Sequence, residues 1–128
     1  MTHAQIEERA AAILRRRASG LLAHDELLIE LSDADCTVAL ASVIAERAQL
    51  RPDLVQRAID AESDEPAAVM CRAAGFDMNS YSAVLRMRRR NHRGTGGRPA
   101  HALTFFSGLT RTTAERVLAR VVADLVRR

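Results

Sequence analysis

The residues best suited to chemistry stand together between Arg86 and Pro99, in RMRRRNHRGTGGRP, which holds six arginines, one histidine and three of the chain's six glycines. On a helix, Arg86, Arg89, Arg90 and Arg93 share one face at i, i+3, i+4 and i+7, where like charges repel by about 0.2–0.5 kcal/mol per pair. Arginines held together against that repulsion suit an anionic partner. The guanidinium fork matches phosphate geometry, and Gly94-Thr95-Gly96-Gly97 leaves backbone amides open to an oxyanion. A nucleic-acid backbone bound this way would be released steeply by salt. A structural reading stands beside this one. Arg15–Arg17, Arg88–Arg90 and Arg127–Arg128 each close an expected helix, where a cation at the negative end of the dipole contributes about 0.3–1 kcal/mol. The acids Glu62, Asp64 and Glu65 offer partners within the same molecule. The stretch contains no aromatic residue to stack on bases, and GTGG lacks the following Gly-Lys-Ser/Thr of a phosphate loop.

Other reactive residue types are scattered. His3, His24, His92 and His101 include no pair at i, i+3 or i, i+4, so no metal site is expected. Cys36 and Cys71 stand 35 residues apart in alanine-rich segments, which suits buried, reduced thiols rather than a disulfide or a CxxC motif. None of the seven serines lies in a G-x-S-x-G turn. Asp33 and Asp35 read as a turn followed by an N-cap, without the glycine and terminal glutamate of a calcium loop. No catalytic residue and no cofactor are implied.

The elements that must position these residues are helical. The 128 residues are 48% apolar, much of it alanine, with one Tyr and three Phe, as suits closely packed helices. Apolar spacing and punctuation predict helices over 4–18, 24–32, 36–48, 52–61, 66–74, 79–90, 100–107 and 111–127. Asp35 is the expected N-cap of the third, Pro52 and Pro66 open the fourth and fifth, and Thr110 or Thr112 opens the last, the latter as a capping box with Glu115. No segment alternates with period two. The expectation is a single all-α domain over 1–128, with 91–99 as a basic glycine-rich loop.

Three stretches repeat the offsets 0, +5, +8 and +9: Leu50, Val55, Ala58, Ile59; Phe76, Tyr81, Val84, Leu85; and Leu109, Ala114, Val117, Leu118. A fainter copy starts at Leu22 with Leu27 and Leu31. In each, a turn residue packs over the inner face of the following helix. This predicts about eight helices in four antiparallel hairpins, as a compact bundle or short solenoid-like stack, with the basic loop inserted between the third and fourth hairpins.

The succession Leu27–Leu31, Asp33-Ala34-Asp35, Ala39-Leu40-Ala41, Leu50, Val55, Ala58-Ile59, Met70-Cys71-Arg72-Ala73-Ala74-Gly75-Phe76 and Val84-Leu85-Arg86 resembles an uncharacterised bacterial family of helical domains of unknown function. That family is similar to HEAT-type helical repeats and is commonest in alphaproteobacteria; its members are often longer, and this chain would be a minimal version. The resemblance brings no catalytic residue with it.

Charge divides the chain. Residues 1–85 carry 8 arginines against 14 acids, a net of −6, and residues 86–128 carry 11 against 2, a net of +9. No run approaches the ~20 apolar residues of a spanning helix, and the acidic start does not read as a signal peptide, so the expected location is the cytoplasm. The functional expectation is a non-enzymatic protein-interaction or regulatory module with an unknown protein partner or a second copy of itself. The alternative is a nucleic-acid-binding regulator using the same arginines. Expected contacts are Arg86, Arg89, Arg90, His92, Arg93 and Arg98 for charge and Phe106 for an apolar anchor, with Phe105 beside it.

Overall fold

A computed structural model describes residues 2–20, 23–91 and 99–127. Eight helices follow in order: α1 (His3–Ala18), α2 (His24–Asp33), α3 (Thr37–Ala48), α4 (Pro52–Asp60), α5 (Glu65–Ala73), α6 (Met78–Arg90), α7 (Pro99–Ser107) and α8 (Arg111–Arg127). There is no strand among the described residues, and each helix matches its expected range to within one residue at either end. Local capping explains that agreement. The Gln5 amide donates to Thr2 Oγ1 (3.2 Å) while the Thr2 amide donates to Gln5 Oε1 (2.8 Å), a reciprocal box that starts α1. The Ser80 amide donates to Asp77 Oδ1 at 2.9 Å to start α6, and the Thr113 amide donates to Thr110 Oγ1 at 3.1 Å, so Thr110 caps α8.

The corners explain the recurring offsets. The amides of Leu50 and Phe76 each donate to the carbonyl five residues back, Ala45 and Cys71, at 2.9 and 3.0 Å. The residue just before each lies in the left-handed region, Gln49 at φ +58° and Gly75 at φ +87°. This is the Schellman closure, in which the residue after the left-handed one is apolar and turns back onto the helix it ends. An added Cβ at Gly75 would also meet the Arg111 guanidinium at 3.3 Å, a contact that this exposed side chain relieves by a small shift, so the left-handed backbone is the reason for glycine. A further copy is present without a signal in the sequence: the Cys36 amide donates to Leu31 O at 2.9 Å, and Cys36, Ala41, Ile44 and Ala45 fill the same four offsets, all buried. Asp35 is therefore not the N-cap of α3. It is itself the left-handed residue, at φ +56°, and Cys36 holds the cap position with no side-chain bond to the α3 amides. The Leu109 corner packs alike but closes differently, its amide donating to Phe106 O three residues back. Leu22 lies outside the described residues.

The helices assemble as a compact bundle closed by partners distant in sequence: α6 runs against α2, α8 against α5, and α3 against α4. At the centre is α5, which touches α3, α4, α7 and α8 and buries Pro66 to Cys71 and Ala73. A helix apolar on every side belongs inside, and its alanines let the neighbours approach. Asp25 ties the start of α2 to the start of α6, accepting from Ser80 Oγ at 2.8 Å and from the Asp77 amide at 3.2 Å.

Both cysteines are buried and free. Burial pushes the Cys71 thiol up to about 12, and desolvation likewise raises the phenol of Tyr81 above its ordinary value. Because Tyr81 is the chain's one tyrosine, its ionisation can be followed alone. A phenol whose folded value exceeds its unfolded value of about 10 stabilises the fold below that pH and ceases to do so as pH rises through the folded value. Absorbance titration at 295 nm is expected to show no phenolate near pH 10 in the folded protein, with ionisation and loss of helical circular dichroism arriving together at higher pH. A simple titration near pH 10 with the helices intact would contradict this burial.

Candidate interaction surface

The four described arginines of the basic stretch part company at the end of α6. Arg88 points inward and is 0% exposed. Its Nη1 donates to Ala58 O at 3.2 Å and to Ile59 O, its Nη2 to Ala61 O and Ser63 O at 3.0 Å each, and its Nε and Nη2 both reach Asp64 Oδ1 at 3.2 and 3.0 Å. These are carbonyls of the last turn of α4, where Ala58 O also accepts from the Ala61 amide at 3.4 Å, and of the turn that follows. Only arginine offers five donors in a fixed planar fork, so one side chain ends α4, shapes 61–64 and answers the α4 dipole. Asp64, one of the acids expected to serve the basic stretch internally, supplies the countercharge.

The outer three arginines are also engaged. Arg89 Nη2 shares Asp64 through Oδ2 at 2.9 Å. Arg90 Nη2 donates to Ser32 O at 2.7 Å and Asp35 Oδ1 at 3.0 Å, closing the end of α2. Arg86 stands 3.7 Å from Asp33 with both side chains more than half exposed, a geometry worth little. Among the described residues these four arginines thus meet three carboxylates. The structure brings Arg86, Arg89 and Arg90 around one open hollow of about 430 Å³, with Leu85 and Leu103 as its apolar lining. His92, Arg93 and Arg98 lie outside the described residues.

Phe106 is not a surface anchor. It is fully buried, stacked on Tyr81 with centroids 4.4 Å apart and planes 8° from parallel, and the Arg72 guanidinium lies 3.8 Å over its ring. Arg72 Nη2 also donates to Phe106 O at 3.0 Å, tying α5 to the end of α7. The outward aromatic is Phe105, 43% exposed. Adjacent helical residues point about 100° apart, which is why one is core and the other surface; the sequence does not say which.

A second surface carries no mark in the sequence pattern. Leu14 on α1 and Val38 on α3 are 40% and 70% exposed and face a common groove of about 350 Å³, lined also by Ile6, Ala10, Ala11 and Ala39. It shares Ile6, Asp35 and Thr37 with a neighbouring hollow of about 400 Å³ whose walls include Gln56, Asp60 and Asn91. The groove is apolar around Leu14, and the neighbouring hollow is polar around Asp60. Val38 is two residues from Leu40, hence on the far side of α3 from the core, and in sequence it passes for one more helical apolar residue. No group of three or more His, Cys, Asp and Glu residues placed to hold a metal occurs among the described residues.

The family described as an uncharacterised protein conserved in bacteria (DUF2336) matches residues 1–119. The chain belongs to that family. No curated protein and no solved structure matches it. The DUF2336 match runs from α1 into α8, so the Arg88 clasp and the α1–α3 groove both lie within the family's own span.

The two phenylalanines separate core from surface by measurement. Phe106→Ala is expected to cost about 3–5 kcal/mol in urea denaturation, and Phe105→Ala no more than about 1 kcal/mol. Equal losses would contradict the placement of Phe106.

Proposed function

We propose that the DUF2336 chain is a non-enzymatic protein-interaction module that receives the apolar side of a partner protein's helix in the groove between α1 and α3. The observation that carries this reading is Val38, 70% exposed and facing Leu14 across an apolar groove. Solvated apolar side chains gathered around a groove favour a partner that removes them from water, and a groove between helices suits the helix-in-groove mode. Fully burying an exposed valine or leucine yields about 1.5–3 kcal/mol, and Leu14, already more than half covered, adds less than that. Against the cost of association this gives a reversible, regulatory contact rather than a permanent one. The corner motif at Cys36, Leu50, Phe76 and Leu109 supports a likeness to helical-repeat proteins, which present such grooves. Among the described residues no helix is long and apolar enough to cross a membrane, and the module is placed in the cytoplasm on this reading.

The nucleic-acid reading keeps one observation in its favour, the convergence of Arg86, Arg89 and Arg90 on a single hollow. Against it stand Asp33, Asp35 and Asp64, which take up most of that charge. Both readings meet in one experiment. The wild-type chain and a Leu14→Glu/Val38→Glu variant, each checked for helical content, are used for quantitative affinity capture with nuclease present. The expected result is a defined protein retained by wild type and reduced about tenfold or more by the variant, then confirmed with purified components. Retention unaffected by the two glutamates would overturn the groove. Nuclease-sensitive, salt-sensitive retention alone would transfer the function to the arginines.

A further inference from the structure

We infer that the helix received along α1 is α1 of a second copy, laid antiparallel about a two-fold axis at Ala11. This rests on the interaction reading and names its partner. The outward face of α1 runs Ala4, Glu8, Ala11, Arg15, Ala18, in steps of four and three residues that keep it on one side of the helix. All five are exposed, while the buried Ile13 points to the opposite side. The groove runs along the flank of this face, with Glu7, Ala11 and Leu14 among its walls. A helix lying on the face therefore covers Leu14 and reaches Val38 on α3.

What identifies the occupant is that the face is its own complement. A two-fold interface must match itself, residue i meeting j wherever j meets i. Turned end for end about Ala11, the face brings Ala4 over Ala18, Ala11 over Ala11, and each Glu8 beside Arg15 of the other copy. Alanine at every crossing lets the two helices approach closely, over a length of about 21 Å at 1.5 Å per residue. A parallel pair would set Glu8 against Glu8 and Arg15 against Arg15. A wholly acidic or wholly basic helix would satisfy one of the two charges and oppose the other; α1 satisfies both. One helix face and the start of α3 make a small interface, below about 1,200 Å² in total, so the dimer is reversible.

The test is analytical ultracentrifugation of the intact chain over a concentration series, with helical content checked for each variant. Wild type is expected to form reversible dimers. Glu8→Arg alone, or Arg15→Glu alone, should weaken association about fivefold or more by turning two attractive pairs into repulsive ones, with the gap narrowing at high salt. The double variant Glu8→Arg/Arg15→Glu should restore it to near wild type, a recovery that general weakening of α1 would not give. Ala11→Cys should link two copies under mild oxidation, since a disulfide forms only where the Cα atoms lie about 4.4–6.8 Å apart. Thr112→Cys on α8 should not, and the native cysteines are buried. A chain that stays monomeric up to about 1 mM overturns this inference. The interaction reading then stands or falls separately, on whether Leu14→Glu/Val38→Glu reduces capture of a different protein. Failure of Ala11→Cys to link overturns the antiparallel pair. Dimers indifferent to the charge changes overturn it as well: if Val38→Glu dissociates them, the groove joins copies by another pairing, and if not, the interface lies elsewhere.

Discussion

Everything at the basic end of this molecule depends on one buried side chain. Arg88 carries a full charge into a site with no exposure to water, which is tolerable only because its donors are matched by the carbonyls at the end of α4, the turn after it, and Asp64. Desolvating an unpaired charge would cost several kcal/mol. Here the same contacts satisfy carbonyls that a buried helix end would otherwise leave orphaned. The turn from 61 to 64 contains no apolar residue except Ala61 and has little of its own to hold it, so the guanidinium is its core. Since α6 lies along α2, the clasp joins the α4–α5 corner to the α2–α6 pair.

That role alters the meaning of the basic stretch. A run of Arg-Met-Arg-Arg-Arg invites a single electrostatic interpretation, yet neighbouring residues on a helix point in different directions. Arg88 points to the core, Arg89 and Arg90 reach Asp64 and Asp35 across the bundle edge, and Arg86 is left mostly to solvent. The division of the chain into an acidic and a basic part is therefore largely an internal complementarity. The acids of the α2–α3 and α4–α5 corners are the partners of α6. A surface for recognition is then better sought where the fold leaves apolar groups in water, along α1 and the start of α3.

Helices, their limits and the corner offsets were legible because they are local: caps, prolines, left-handed turn residues and 3.6-residue spacing lie within a few positions of one another. The service of Asp64 to the arginines within the molecule was legible too, from charge alone. Other features were not. The pairing of α6 with α2 and of α8 with α5 depends on shape complementarity among alanine-rich faces that look alike in sequence. Phe105 and Phe106 are equivalent until the rotation of α7 about its axis is known. Asp35 has every attribute of an N-cap, and only the closure of Cys36 onto Leu31 O turns it into the left-handed residue of a corner. The Cys36 copy of the motif is hidden in the sequence because Cys and Ala fill positions that Leu, Val and Ile fill elsewhere. The groove went unmarked because exposure of Val38 is a property of what α3 packs against, not of α3.

Arg88 holds this end of the molecule through the geometry of its fork and not through charge alone, and Arg88→Lys tests this most directly because the charge is kept. Lysine has three donors on a compact ammonium and cannot span Ala58, Ala61, Ser63 and Asp64 together. Urea denaturation is expected to show Arg88→Lys less stable by about 2 kcal/mol or more, since buried carbonyls lose their partners. Arg86→Lys on the solvent side should stay within about 0.5 kcal/mol of wild type. If Arg88→Lys unfolds at the wild-type urea concentration with an unchanged slope, the clasp is not what holds this end of the molecule together.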